Sequence, residues 1–381
     1  MNQTIEQFAQ TPQESSVYTS PNGIGIHKLL RDATRYGASD LILTAGSPPV
    51  IRLNGILQPF DMPKMTGSDT HALLYGVLSQ AQQSKFAAYK EIDFALSIRG
   101  LLDSNDQAET RFRVNGFYQR GQVAAAFRLV PMVIPEPSAL GIPPVVLELA
   151  KRRQGLVLVT GPTGHGKSTT LAALIELINR SRACHIITVE DPIEFVHEHK
   201  MSLIEQREVG ADTASFQDAL KYVLRQNPDV ILIGEMRDAE TVAAAITAAE
   251  TGHLVLATLH TNDVAQSVDR IIDIFPSEHQ NQIRTQLASC LEAVIAQRLI
   301  PAVNGKGRVA AFEVLIGTVG IRAMIRDKRT HLIPAAMEAS AKDGMITMDR
   351  ALKNLFDKGL ISRDSYFNML SNREREFVPK K

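Results

Sequence analysis

Tryptophan is absent from the 381 residues, and there are only two cysteines, Cys184 and Cys290. Two cysteines cannot build a disulfide framework for a chain of this size, so a hydrophobic core must hold the fold, and a reducing, cytosolic compartment fits. Both sit in apolar stretches and read as small core residues. Net charge is lacking too, because 41 basic residues balance 41 acidic ones. That balance argues against a constitutive binder of nucleic acid or of an anionic membrane surface. Aromatic residues make up 6%, too few to suggest a groove that stacks unpaired bases. No run of about 18 apolar residues occurs, so no segment reads as a membrane span. Met1 to Ser20 has neither the basic nor the apolar stretch of a signal peptide.

What remains is ordinary globular composition, 44% hydrophobic and 22% charged. Its length suggests about two or three domains. Residues 1–23 are rich in Gln, Thr and Ser and read as a flexible tail. Ile26, Leu29, Leu30 and Ala33 then recur at helical spacing, with Gly37 as the stop. Residues 39–43 read as a strand, and 50–57 as a hairpin turning at Asn54-Gly55. A helical pattern covers 68–90, and strands are expected over 94–98, 108–118 and 123–129. Five prolines between Pro131 and Pro144 mark a linker.

Beyond the linker, apolar runs at 156–160, 185–189, 230–233 and 254–258 alternate with helical patterns. Continuous apolar runs suit parallel strands buried on both faces. Asp238 and Gly252 bracket a helix over 239–251. After about Gly317 the pattern is only helical.

Gly161-Pro162-Thr163-Gly164-His165-Gly166-Lys167-Ser168 matches G-x-x-x-x-G-K-[ST] in full, between a strand and a helix. Glycines let backbone N–H groups converge on phosphate oxygens, and the helix N-terminus adds positive potential. A lysine at this position reaches the β- and γ-phosphates, and a serine hydroxyl suits Mg²⁺. The segment therefore points to a nucleoside triphosphate. His165 stands where small polar residues are common. It reads either as an exposed side chain that the loop tolerates or as a pH-sensitive contact to the phosphates. Two acidic clusters close strands further on, Glu190-Asp191-Pro192-Ile193-Glu194 and Gly234-Glu235. Either could be a solvated loop, but strand ends are where ligands bind in open α/β sheets. His253 and His260 bracket the 254–258 strand, and no further His or Cys shares their spacing for a metal site.

In this order, the segments resemble the PilT-type retraction ATPases of type IV pili, within the secretion-ATPase superfamily. The likeness covers about residues 24–365. It rests on GLVLVTGPTGHGKSTTLAAL from Gly155, ITVEDPIEFVHE at 187–198, NPDVILIGEMRD at 227–238 and AAETGHLVLATLHTNDVAQSVDRIIDIFP at 248–276. Earlier in the chain, GASDLIL at 37–43 and RFRVNGFYQRG at 111–121 contribute. Three features depart from the family pattern: His165, the additional tail, and the segment 320–327. That last segment reads GIRAMIRD where retraction ATPases carry AIRNLIRE, with Ile321, Met324 and Ile325 kept on one helical face.

The resemblance implies an α/β protein, a small PAS-like domain (24–130) followed by a RecA-like P-loop NTPase domain (150–316). The tail (1–23), linker (131–149) and a helical segment (317–381) complete it. It implies a homo-hexamer that binds ATP and Mg²⁺ between the two domains of a subunit and against a neighbour. Residues Gly161 to Thr169, including Lys167, Ser168 and Thr169 itself, would hold the phosphates. Ser168 and Glu235 would serve Mg²⁺, and Glu194 would activate water. His253 and His260 would be the His-box pair. Arg113 and Arg128 would approach the phosphates, and Arg270 the subunit contact. The implied work is pilus retraction in twitching motility, peripheral to the inner face of the cytoplasmic membrane. The implied partners are an inner-membrane platform protein and a paralogous pilus ATPase, without nucleic acid. An accessory ATPase of the PilU kind or a secretion ATPase of the DotB kind is the alternative reading. A RecA-like motor on nucleic acid and a nucleotide-binding module without turnover are further readings. The former needs a basic aromatic groove, and the latter a damaged catalytic set.

Overall fold

The computed structural model describes residues 19–370 except 54, 103–108, 132 and 306. Most of the expected tail, and Asn54 of the expected turn, lie outside the described residues. The chain divides into two compact units between Met132 and Val133.

The first unit is mixed α/β. Its elements are α1 (Ile26–Arg35), β1 (Asp40–Leu43), β2 (Val50–Leu53), β3 (Ile56–Pro59), α2 (Gly67–Tyr75), α3 (Gln80–Tyr89), β4 (Glu91–Arg99), β5 (Glu109–Gln119) and β6 (Gln122–Leu129). The six strands form an antiparallel sheet in the order β3-β2-β1-β6-β5-β4. Alternation explains it. Leu41, Leu43, Phe112, Val114, Ala125 and Phe127 are buried in one cluster with Leu29, Leu30, Leu73 and Phe86 from the helices. Each large side chain buried this way stabilises by roughly 1.5–3 kcal/mol.

The helical pattern at 68–90 resolves into two helices. Ser79 accepts from Gln82 N while the Gln82 side chain accepts from Ser79 N, and this capping box starts α3 afresh. A second box, Thr66 with Asp69, starts α2. Residues 19–23 are tied to it, since Asn22 Nδ2 donates to Asp69 Oδ2 at 2.7 Å. Burial works against the Asp69 charge, but hydrogen bonds from Thr66, Ser20 and Asn22 outweigh it and hold the carboxyl well below the usual range.

The second unit contains α4 (Pro144–Glu148), β7 (Gly155–Thr160), α5 (Lys167–Ser181), β8 (His185–Glu190), β9 (Leu203–Glu208), α6 (Phe216–Val223), β10 (Val230–Ile233), α7 (Ala239–Glu250) and β11 (Leu254–Leu259). After these come α8 (Val264–Asp273), α9 (Ser277–Cys290), β12 (Leu291–Pro301), β13 (Arg308–Ile316), α10 (Val319–Arg326), α11 (Ile333–Ala339), α12 (Met348–Asp357) and α13 (Arg363–Met369). The sheet order is β13-β12-β7-β11-β10-β8-β9, with only β13 antiparallel to its neighbour. All residues of β7, β10 and β11 are buried, as strands covered by helices on both faces must be. One core cluster contains residues from α7, α8, α9 and α10, a second from α4 and α5, and a third from α12 with Ile300 of β12 and Ala311 of β13. Asp238 caps α7, its side chain accepting from Thr241 N at 2.8 Å. Ile142, Val146, Leu149 and Ala150, from the proline-rich stretch and its end, are core residues of this unit.

Helix α10 carries the 320–327 segment. Ile321 and Ile325 are buried, and Met324 packs on the same core. Arg322 is spent internally, donating to Gly317 O and Ser289 O and pairing with Glu292 at 2.6 Å. Cys290 is buried and Cys184 half-buried, and both are free thiols.

Candidate functional site

The loop 161–166 lies at the carboxyl end of β7, and its shape follows from an overhang. Strand β12 pairs with β7 only as far as Ala296 opposite Thr160, then runs on to Pro301. The overhanging edge faces the loop. Gly161 has φ +138°, and a Cβ there would come within 2.4 Å of Gln297 O. Gly166 has φ +84°, and a Cβ there would meet Gln297 Nε2 at 2.9 Å. Both positions need glycine, for the backbone and for the close approach. The Thr170 hydroxyl donates to Gln297 Oε1 at 2.7 Å, fixing that amide from the first turns of α5.

His165 belongs to the same support. Its Nδ1 accepts from Leu299 N at 3.0 Å, so the neutral ring carries its proton on Nε2. Burial, with Arg308, Lys167 and Arg298 nearby, lowers its pKa. The side chain is half-buried and is an anchor of the loop rather than a tolerated exposed group. Arg308 Nη1 adds a bond to Gly164 O at 3.1 Å. No side chain caps α5, whose N-cap is Gly166. Its first N–H groups are therefore open to an anion, and the helix dipole favours one. Ser168 and Thr169 stand half-buried in this first turn.

Lys167 opens the helix and is buried at 7% exposure. Its Nζ donates to Gly161 O at 2.8 Å and Pro162 O at 3.2 Å, and lies 3.4 Å from His260 Nδ1. His260 Nε2 is 3.2 Å from Glu235 Oε1, and Thr163 Oγ1 is 3.3 Å from His260 Nδ1. The partners assign the tautomer: Nε2–H donates to Glu235, and Nδ1 accepts from Lys167 or Thr163. Burial and the Lys167 charge lower the His260 pKa against the pull of Glu235. Burial lowers that of Lys167, with Glu235 and Glu194 opposing. Glu235 also accepts from Arg237 Nε, and Thr258 Oγ1 donates to Gly234 O. Strand ends β7, β10 and β11 thus bring Lys167, Glu235 and His260 into one chain of contacts.

Glu194 is exposed and makes no side-chain hydrogen bond among the described residues. Four residues earlier, Glu190 accepts from Thr188 Oγ1 at 2.6 Å, and burial raises its pKa.

Within the second unit, His253 stands apart from this chain of contacts. His253 lies at the opposite end of β11, where its carbonyl accepts from Gly155 N at 3.0 Å and its Nδ1 lies 2.9 Å from Ala248 O. A six-residue strand puts it roughly 20 Å from the loop, at about 3.3 Å per residue. Arg270 is exposed on α8. Arg113 and Arg128 belong to the first unit, directly opposite each other on β5 and β6. Arg128 Nε donates to Asp40 Oδ1 at 2.9 Å, and Arg52 pairs with the same carboxylate at 3.4 Å. The sequence reading missed Gln297, Leu299, Thr170 and Arg308, whose contacts to the loop span up to 144 residues. Thr170 alone had a local signal, its place one turn beyond the loop.

Residues 143–349 match the family described as type II/IV secretion system protein. Among curated proteins, the chain is 45% identical over 355 residues to the type IV pilus retractation ATPase PilT of Pseudomonas aeruginosa, covering 93% of this chain and 99% of that protein. It is 43% identical over 335 residues to the type IV pilus ATPase PilU of the same organism, covering 88% and 86%. Among solved structures, the pilus retraction motor PilT with bound ADP superposes with a TM-score of 0.86 at 46% identity, over 93% of this chain and 100% of that one.

Proposed function

The chain belongs to the type II/IV secretion system protein family, and from that premise we propose that it is an ATPase that retracts type IV pili. The observation that carries the ATPase reading is the Lys167–His260–Glu235 chain beside a complete phosphate loop. ATP would place its phosphates on the N–H groups of the loop and of the α5 N-terminus. Lys167 would then exchange the carbonyls of Gly161 and Pro162 for phosphate oxygens. That exchange releases His260 Nδ1, so the ring couples the state of the phosphates to Glu235. Glu194, uncommitted and close enough to influence Lys167 electrostatically, is the group we assign to accept the proton of the attacking water.

The site fits Mg²⁺ of the P-loop kind. Such an ion takes most of its oxygens from phosphates and water, so it needs one hydroxyl and one acid from the protein, here Ser168 and Glu235. When bound it would neutralise charge on the phosphates. Among the described residues there is no group of three or more His, Cys, Asp or Glu that could hold a metal ion.

We further assign Arg113, Arg128 and Arg270 to the nucleotide and to a neighbouring subunit of a hexameric ring. Hydrolysis would move the two units and thereby work on an inner-membrane platform protein, from the cytoplasmic face. No helix among the described residues is long and apolar enough to cross a membrane.

Steady-state ATPase assays with light scattering test this reading. Wild type is expected to hydrolyse ATP as a ring. Lys167→Ala should lose binding and turnover. Glu194→Ala should lose on the order of 10²-fold or more in kcat while still binding ATP. A Glu194→Ala variant with wild-type turnover would remove the water-activating role from Glu194. Wild type that binds ATP without turning it over would sink the motor.

A further inference from the structure

Glu194 stands in a segment that has no strand of its own to hold it. Residues 193–198 alternate in burial: Ile193, Phe195 and the His197 side chain point inward, while Glu194, Val196 and Glu198 are exposed. That alternation is the pattern of a strand. Side chains of β9, not a backbone ladder, fix its position. Glu208 Oε2 accepts from Ile193 N at 3.1 Å. Gln206 Nε2 donates to Phe195 O at 2.8 Å, and Gln206 Oε1 accepts from His197 N at 2.8 Å. The second Nε2 proton is taken by Glu190 Oε1 at 3.2 Å. These partners assign the amide orientation, because the nitrogen meets two oxygen acceptors and the oxygen meets an N–H donor. Positions 206 and 208 lie two apart on one strand, hence on one face.

We propose that Gln206 is a positioning residue for ATP hydrolysis: its carboxamide substitutes for a neighbouring strand and fixes the backbone immediately after Glu194. The proposal rests on the assignment of Glu194 as the residue that activates water. Glu208 holds the N–H of Ile193 and Glu190 that of Glu194, while Gln206 holds Phe195 O and His197 N just beyond. Only the side-chain torsions of Glu194 then remain to be set. Gln206 does not touch the phosphate loop, so its loss acts on the attacking water and not on nucleotide affinity. Misplacing a catalytic group by about 1 Å costs on the order of 10²-fold.

Gln206→Met keeps the volume and removes all three hydrogen bonds. Its kcat is expected to fall about 10- to 100-fold while KM for ATP stays within about twofold. In the Glu194→Ala background, single-turnover hydrolysis should show no further loss from Gln206→Met, because nothing remains to be positioned. Unchanged kcat, a change confined to KM, or the same loss in both backgrounds would each overturn the proposal. If Glu194→Ala is inactive but Gln206→Met is fully active, the proposal fails and the Glu194 assignment stands. If Glu194→Ala turns over normally, both fail. Should Gln206→Met not fold, Gln206→Glu supplies the test. It keeps the acceptor for His197 N but turns an acceptor toward Phe195 O and Glu190. Its turnover relative to wild type should rise as pH falls and the introduced carboxyl gains a proton to donate. Equal turnover across the pH range would overturn the proposal.

Discussion

Gly161→Ala is expected to abolish nucleotide binding, whereas Gly164→Ala in the same loop should retain most of it. The two positions differ in surroundings, not in residue type. At Gly161 a Cβ would lie 2.4 Å from Gln297 O, and φ is +138°. The obstructing atom is backbone and cannot step aside. Gln297 is paired with Phe312 across β12 and β13, and its side chain is held by Thr170. The loop must therefore move away from the overhang, taking with it the N–H groups that would meet the phosphates. At Gly164 φ is +77° and nothing lies within 4 Å of an added Cβ. The cost there is the left-handed backbone alone, roughly 1–2 kcal/mol. Titration with a fluorescent ATP analogue should show Kd raised more than about 100-fold for Gly161→Ala, equivalent to about 3 kcal/mol, and about 10-fold or less for Gly164→Ala. Equal affinities for the two variants would refute the role given to the β12 overhang.

The same overhang shows where sequence reading ends. Strands β7, β8, β10 and β11 were legible because each is a short apolar run between breakers, buried on both faces. Strand β9 was not, since LIEQRE mixes two apolar residues with four polar ones. Strand β12 follows α9 without an intervening residue, Cys290 ending one and Leu291 starting the other. No turn signal marks that change of period. Losing β12 meant losing what shapes the loop, and with it the reason His165 is tolerated. Read locally, His165 is an unusual loop residue; in three dimensions it satisfies Leu299 N, a donor on the part of β12 that extends past β7. Lys167, Glu235 and Glu194 are named from motif and resemblance, since each stands in a short segment that can be read locally. Their hydrogen-bond partners are not, because contacts such as Lys167 to the carbonyls of Gly161 and Pro162 depend on how the loop folds back over the start of α5, which no motif encodes. His253 had the same warrant as His260, a place beside β11. A parallel strand has two ends, and only the carboxyl end meets the phosphate loop.

A second large effect is expected from two buried groups that oppose each other. Glu313 accepts from Val264 N at 3.1 Å, at the start of α8, and from the backbone N–H of Met348, at the start of α12. Burial, reinforced by Asp263, pushes its carboxyl from 4.5 up to about 7, although the two N–H groups and Arg298 pull the other way. His197 is buried beside Glu176, and burial pushes it from 6.5 down to about 4, with Lys200 in the same sense and Glu176 against it. A raised carboxyl contributes stability that is complete below pH 4.5 and is lost as pH rises toward 7. A depressed histidine contributes stability that is complete above pH 6.5 and is lost as pH falls toward 4. At about 1.4 kcal/mol per pH unit, each is worth about 3 kcal/mol. Between pH 4.5 and 6.5 the slopes are opposite, so the two contributions nearly cancel. Glu313→Gln keeps an acceptor for Val264 N and removes one slope. Relative to wild type, its stability in urea should rise with pH across that window, by up to about 3 kcal/mol. His197→Asn should show the reverse, with stability falling as pH rises. A Glu313→Gln profile parallel to wild type would mean that Glu313 is charged throughout and that the two helix N-termini stabilise the carboxylate against burial. In that case α8, which follows His260, is held to the carboxyl-terminal helices by a permanent charge, and the attachment would not loosen with pH.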